Sequence, residues 1–204
     1  AGAKSRAIPI ERVPRMEIRQ RAGDSAHQDA LLEVHPYPYA DIAAMHARAR
    51  TLNEAPLLLM LDLLQSPGNI GRLLRTAEAA GVHGVVIQKR RAGGVTPAVV
   101  AASMGASEHL LITRVTNLAH AIQQLHSDDV WVAGLHTGSG SLPMDQSDLN
   151  RALMLVVGNE GKGLRRLVRE RCDFLINIPM HGHVKSLNAA VAGSLALYAA
   201  RTAR

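Results

Sequence analysis

From residue 56 onward, short apolar runs alternate with stretches of helical periodicity. The runs at 57–62, 84–87, 110–113, 130–133, 152–157 and 174–178 are rich in Leu, Val and Ile and too short for helices, so they predict six buried strands. Between them, residues 70–80, 97–104, 118–126 and 164–171 carry helical spacing, and an Ala-rich helix closes the series from Ser186 to about residue 200. Asn69 stands where the cap of the first helix belongs, and Ser186 where the cap of the last does. Strands that alternate with helices predict an α/β fold, a mostly parallel sheet with helices on both faces.

Residues 1–55 follow a different pattern. A strand is expected over 8–13, a helix over 15–21 and a second strand over 27–35. A Pro-rich connector, His35-Pro-Tyr-Pro-Tyr, follows, and Asp41 caps a helix that runs to Arg50. So few elements bury little core by themselves. The expected organisation is a remnant α/β domain over 1–36, a helix-bearing linker over 37–55 and the main domain over 56–204.

Composition narrows the possibilities. Hydrophobic residues make up 47% of the 204, enough for a core, but only 2% are aromatic. That scarcity argues against recognition of bases by a row of stacked rings. The net charge is +6, and 15 of the 23 basic side chains fall in residues 56–204 against 10 acidic ones there. Lys89-Arg90-Arg91 and the cluster containing Arg165 and Arg166 form two basic patches that suit a polyanionic partner, or a merely solvated face. A single cysteine, Cys172, allows no intramolecular disulfide and fits a reducing cytoplasm. No apolar run reaches the length of a membrane span. No spacing of His181, His183 or other residues supplies a full ligand set, so no metal is expected.

Three strand-to-helix loops could carry chemistry, since α/β proteins bind ligands at the carboxyl ends of their strands. The first holds Ser66-Pro-Gly-Asn-Ile-Gly-Arg-Leu-Leu-Arg, in which Arg72 and Arg75 lie three apart and can reach one side of a helix. The second is Gly158-Asn-Glu-Gly-Lys-Gly, whose spacing departs from that of a P-loop. Its glycines permit close backbone approach, to a ligand or to another segment. The third is Ile178-Pro-Met-His-Gly-His-Val-Lys-Ser-Leu-Asn, followed by small residues that let another backbone come near.

In this order the three loops resemble the SpoU/TrmH family of RNA ribose 2′-O-methyltransferases, of the SPOUT superfamily. Asn69, Gly71 and Arg75 match its Asn-x-Gly-x-x-x-Arg motif. Gly158, Glu160 and Gly161 match Gly-x-Glu-Gly, and residues 178–188 match Ile-Pro-Met-x-Gly-x-x-x-Ser-Leu-Asn. Residues 103–108 and 114–118, with His27-Gln28 and the Pro-Tyr-Pro-Tyr stretch, look closest to the branch that methylates a guanosine of large-subunit (23S) rRNA, with tRNA as the alternative target. A non-catalytic RNA-binding or ribosome-assembly protein of the same fold is a further alternative, against which the intact motif set argues. The resemblance implies a deep trefoil knot at the C-terminus, a homodimer and S-adenosyl-L-methionine as cofactor. It further implies cofactor contacts from Gly158, Ile178, Leu187, Leu135 and Met180, and a catalytic set of Arg75, Asn69, Glu160, Ser186 and Asn188. The family assigns Arg75 as proton acceptor, yet a guanidinium stays charged in proteins. Clamping a phosphate and stabilising developing negative charge suit it better. Lys89, Arg90, Arg91, Arg165 and Arg166 are the expected RNA contacts. Lys185 departs from the small or polar residues commoner at its position.

Overall fold

Five consecutive fully buried residues, Leu57–Leu61, form β1, an interior strand of the sheet. An unbroken apolar run of this length has no polar face, so it needs cover on both sides. Its odd residues, Leu57, Leu59 and Leu61, enter one hydrophobic cluster, while Leu58 and Met60 enter another. The computed structural model describes residues 7–23, 27–90 and 92–204. In chain order the remaining strands are β2 (Gly84–Gln88), β3 (Ile112–Val115), β4 (Trp131–Leu135), β5 (Leu142–Pro143), β6 (Leu153–Val157) and β7 (Phe174–Asn177). They form one sheet in the order β3-β2-β1-β6-β4-β7-β5, and every pairing is parallel. The two-residue β5 was not expected from sequence, because so short a strand has no periodicity to detect.

The helices are α1 (Arg15–Ala22), α2 (Ile42–Thr51), α3 (Pro67–Ala79), α4 (Pro97–Ala102), α5 (Leu118–Ser127), α6 (Arg166–Arg171) and α7 (Ala189–Thr202). On one face of the sheet lie α3, α4 and α7, through Leu73, Leu74, Val99 and Leu197. On the other lie α2, α5 and α6, through Met45, Ile122, Leu125 and Val168. The small residues of α7 have a local cause. A Cβ at Gly193 would stand 2.6 Å from Leu73 and 2.9 Å from Val157, so α7 packs backbone-close against α3 and β6.

Two expected caps move. Ser66 caps α3, its hydroxyl accepting from Asn69 N at 3.4 Å, and Pro67 occupies the first helical position. Asn69 therefore sits inside the first turn with its side chain free for other partners. Asn188, not Ser186, caps α7, accepting from Ala190 N at 2.9 Å and Val191 N at 3.3 Å.

Contacts divide the chain into two units, Ala1–Pro36 and Tyr37–Arg204. In the first, α1 forms as expected, but the residues expected as strands, 8–13 and 27–35, are irregular where described. Ile8, Ile10, Leu32 and Val34 are exposed, and among the described residues no neighbouring strand takes up the backbone hydrogen bonds that a strand needs. Residues 37–55 pack into the second unit. Ala40 N donates to Ile112 O at 2.9 Å, Asp41 caps α2 through Ala44 N at 2.7 Å, and Met45 is fully buried. Among the described residues no helix is long and apolar enough to cross a membrane.

Candidate active site

The carboxyl ends of β1, β6 and β7 point the same way because the sheet is parallel, so the three motif loops emerge at one edge. Asn69 is where they meet. Its side-chain Nδ2 donates to Glu160 Oε1 in the loop after β6. Its Oδ1 accepts from Asn188 Nδ2 at 3.3 Å, in the loop after β7, and from Arg72 Nη1 at 3.2 Å. Asn69 is only 7% exposed, so an unpaired amide there would be costly.

The second loop folds on itself. Asn159 and Gly163 exchange backbone hydrogen bonds, N to O at 3.1 Å and 2.9 Å, and Asn159 Oδ1 accepts from Gly161 N at 3.0 Å. A side-chain carbon at Gly158 would overlap the Gly163 carbonyl and stand 2.6 Å from Leu164 N, so the turn closes only over glycine. Two contacts tie the loop to the end of β1. Asn159 Nδ2 donates to Leu63 O at 3.2 Å. Arg165 donates to the fully buried Asp62 carboxylate from its backbone N at 2.8 Å and from Nε at 2.6 Å. Asp62 gave no sign in the sequence beyond its place after an apolar run.

Beside this loop lies a cavity of about 430 Å³. Leu135, Gly158, Ile178, Met180 and Leu187, the five residues expected to hold a cofactor, all line it. Glu160, Ser186, Lys162 and Lys185 line it too. The volume and the mixture of apolar wall with a few polar groups suit a small organic molecule. Asn69 does not line the cavity but bonds to Glu160, which does, and Asn188 stands between Leu187 and Ala189 of its lining. Arg75 does not line it. It lines a separate groove with Arg72, Thr76, Ser194, Val191, Leu195 and Tyr198.

The expected RNA contacts divide. Lys89 and Arg90 are exposed at the end of β2, and Arg91 lies outside the described residues. Arg165 is engaged by Asp62 and, through Nη2, by Gln88 Oε1 at 2.9 Å. Arg166 pairs with Glu170 at 2.9 Å on the surface. Burial pushes the Cys172 thiol up to about 12, so it stays a thiol at neutral pH. Among the described residues no group of three His, Cys, Asp or Glu could hold a metal ion.

Residues 56–198 match the model of the SpoU rRNA methylase family. The chain is 45% identical over 196 residues to YacO of Bacillus subtilis (strain 168), named for the TrmH family of tRNA/rRNA methyltransferases; the match covers 96% of this chain and 78% of YacO. Among solved structures, the SpoU methyltransferase AviRb from Streptomyces viridochromogenes, in complex with the cofactor AdoMet, superposes with a TM-score of 0.72 at 30% identity, over 81% of this chain and 65% of AviRb. An AdoMet-bound rRNA methyltransferase from Sinorhizobium meliloti gives 0.67 at 30% identity, over 72% of this chain and 56% of that one. On the strength of the family match and of this identity, the chain belongs to the SpoU rRNA methylase family.

Proposed function

We propose that this protein transfers a methyl group from S-adenosylmethionine to a ribose 2′-hydroxyl of RNA, on a guanosine of large-subunit rRNA. The observation that carries the reading is the Asn69 hub, which joins the three motif loops at the wall of a cavity lined by Gly158, Ile178 and Leu187. The relatives AviRb and the Sinorhizobium meliloti enzyme, both solved with AdoMet, support the cofactor. The bound cofactor supplies an electrophilic methyl on a sulfonium.

The chain must then align the attacking oxygen and stabilise charge. Leu135, Ile178, Met180 and Leu187 offer apolar cover, and the backbone of Gly158 leaves room at the wall. Glu160, oriented by Asn69, and Ser186, at the cavity wall, hold the ribose; Asn188 fixes Asn69. Arg75 clamps the nucleotide phosphate and donates to the hydroxyl oxygen as negative charge develops, while the hydroxyl proton passes to a phosphate oxygen or to water.

Because Arg75 faces a groove and not the cavity, a second copy of the chain completes the site. Val191, Leu195 and Tyr198 stand 47%, 45% and 51% exposed at a spacing that puts them on one side of α7, beside Arg75. That stripe is the proposed homodimer contact. The knot implied by the motifs fits the tight turn over Gly158. Lys89 and Arg90 form the proposed RNA surface; Arg91, next in sequence, lies outside the described residues. The rRNA branch is favoured by the residues shared with it at 103–108, of which Ser103 and Ser107 are buried, with Tyr37 donating to Ser107 O at 2.6 Å. These residues mark lineage through packing and make no claim on RNA. Mass mapping of ribose methylation on rRNA and tRNA incubated with the protein and labelled cofactor tests the reading. Label at a 23S guanosine is expected, and label on tRNA alone, or none, overturns it.

A further inference from the structure

Arg72 is an unspecified position within the first motif, yet among the described residues it is the one arginine bonded to the hub. Its Nη1 donates to Asn69 Oδ1 at 3.2 Å, so the side chain turns back along α3 toward the start of the helix. It has room to do so because position 68 is glycine; a Cβ there would lie 3.3 Å from the same Nη1.

An amide side chain has an acceptor end and a donor end, and a half-turn about its last torsion exchanges them. At Asn69 the two ends are set by what faces them. Glu160 offers only acceptors to Nδ2, while Arg72 and Asn188 present donors to Oδ1. A flipped Asn69 would turn oxygen toward a carboxylate and nitrogen toward a guanidinium. A guanidinium has donors and no acceptor, so Arg72 adds a second fixed donor to that of Asn188, whose own amide is held the same way round by Ala190 N and Val191 N. Through Asn69 it also brings a positive charge to the carboxylate of Glu160.

We propose that Arg72 is a positioning residue of the methyl-transfer centre: it locks the Asn69 amide and thereby aims Glu160 at the ribose. This rests on the methyl-transfer reading and adds to it a residue distinct from Arg75.

The test compares Arg72→Ala and Arg72→Lys with Asn69→Ala and the double variant Asn69→Ala/Arg72→Ala. Arg72→Ala should lower kcat roughly tenfold to a hundredfold, the scale of a misplaced catalytic group. Affinity for S-adenosylmethionine should change less than about twofold, since Arg72 is not in the cavity wall. Arg72→Lys, which still donates, should recover part of the loss. The double variant should be no slower than Asn69→Ala, because Arg72 acts through Asn69. Additive losses in the double variant, or an undiminished kcat in Arg72→Ala, overturn the proposal. Side-chain amide NMR gives a readout free of catalysis: the Asn69 Nδ2 resonances should shift and exchange faster with water in Arg72→Ala, and unchanged signals count against the lock. Failure of the wild-type protein to bind S-adenosylmethionine by calorimetry would instead sink the underlying function.

Discussion

Asn188 donates its side-chain amide to Asn69 at 3.3 Å across 119 positions of sequence, and the same side chain caps α7. One residue therefore fixes both the start of the last helix and the hub of the site. The two tasks use different atoms: Oδ1 receives Ala190 N and Val191 N, while Nδ2 reaches Asn69. Asn188→Asp keeps the acceptor and removes the donor. It should retain the cap, leave the melting temperature within a few degrees and lower kcat about tenfold or more. Asn188→Ala should lose the cap as well, at about 1 kcal/mol. Equal activity in Asp and wild-type proteins would separate the hub from catalysis.

Arg75→Ala should bind S-adenosylmethionine as the wild type does and methylate RNA poorly, because Arg75 lies in the α7 groove and outside the cavity. Leu195→Glu, on the exposed stripe beside it, should yield a monomer by light scattering with the same loss of turnover and the same cofactor affinity. A charge placed in an interface that buries it is strongly disfavoured. Full turnover by a Leu195→Glu monomer would show that one chain suffices.

The central sheet was legible because parallel strands buried on both faces must be apolar throughout, as Leu57–Leu61 are. The cavity wall was legible through resemblance, at Gly158, Ile178 and Leu187. The caps differ from expectation where two polar residues compete for the position. Ser66 with Pro67 is the better start for α3, and that choice is what leaves Asn69 to the hub. The expected strands in residues 8–13 and 27–35 have suitable β-formers, but a strand exists only with a partner. Asp62 was invisible because its role depends on a residue 103 positions away meeting it in space, and Arg72, legible as a cation near the start of α3, gave no sign that it would turn back to Asn69.

Arg165 and Lys89 should behave differently although both belong to basic clusters. Replacing Lys89 and Arg90 with alanine should flatten the salt dependence of RNA binding by about one unit of slope for each phosphate left without its cation, with stability unchanged. Arg165→Ala instead strips the buried Asp62 of its Nε partner at 2.6 Å. Thermal melts should show it destabilised by about 1–3 kcal/mol, the cost of a buried acceptor left short of partners. Parallel salt titrations with RNA complete the comparison. A steep fall in RNA affinity for Arg165→Ala at unchanged stability would return Arg165 to the RNA surface.

His83 sets an acid limit on stability. It is 1% exposed, and its Nδ1 accepts from Leu57 N at 2.9 Å, so that nitrogen must be unprotonated in the fold. Burial is the main cause that holds its pKa below the ordinary 6.5; Glu54, 3.6 Å from Nε2, pulls the other way, and Arg204 and Arg48 add to the depression. The unfolded chain therefore takes up a proton that the folded chain resists. Stability from this group is complete above about pH 6.5 and falls as the pH drops below it. Melting temperatures between about pH 7.5 and pH 5 should decline for the wild type, and His83→Gln should remove part of that slope by removing the titrating ring. The Glu54 carboxylate, held below its usual range chiefly by its hydrogen bond to Arg201, stays charged in the fold across this window, and it adds slope only toward about pH 5, where the unfolded carboxyl begins to take up protons. A His83→Gln protein with the full wild-type pH dependence would assign the acid sensitivity to other groups.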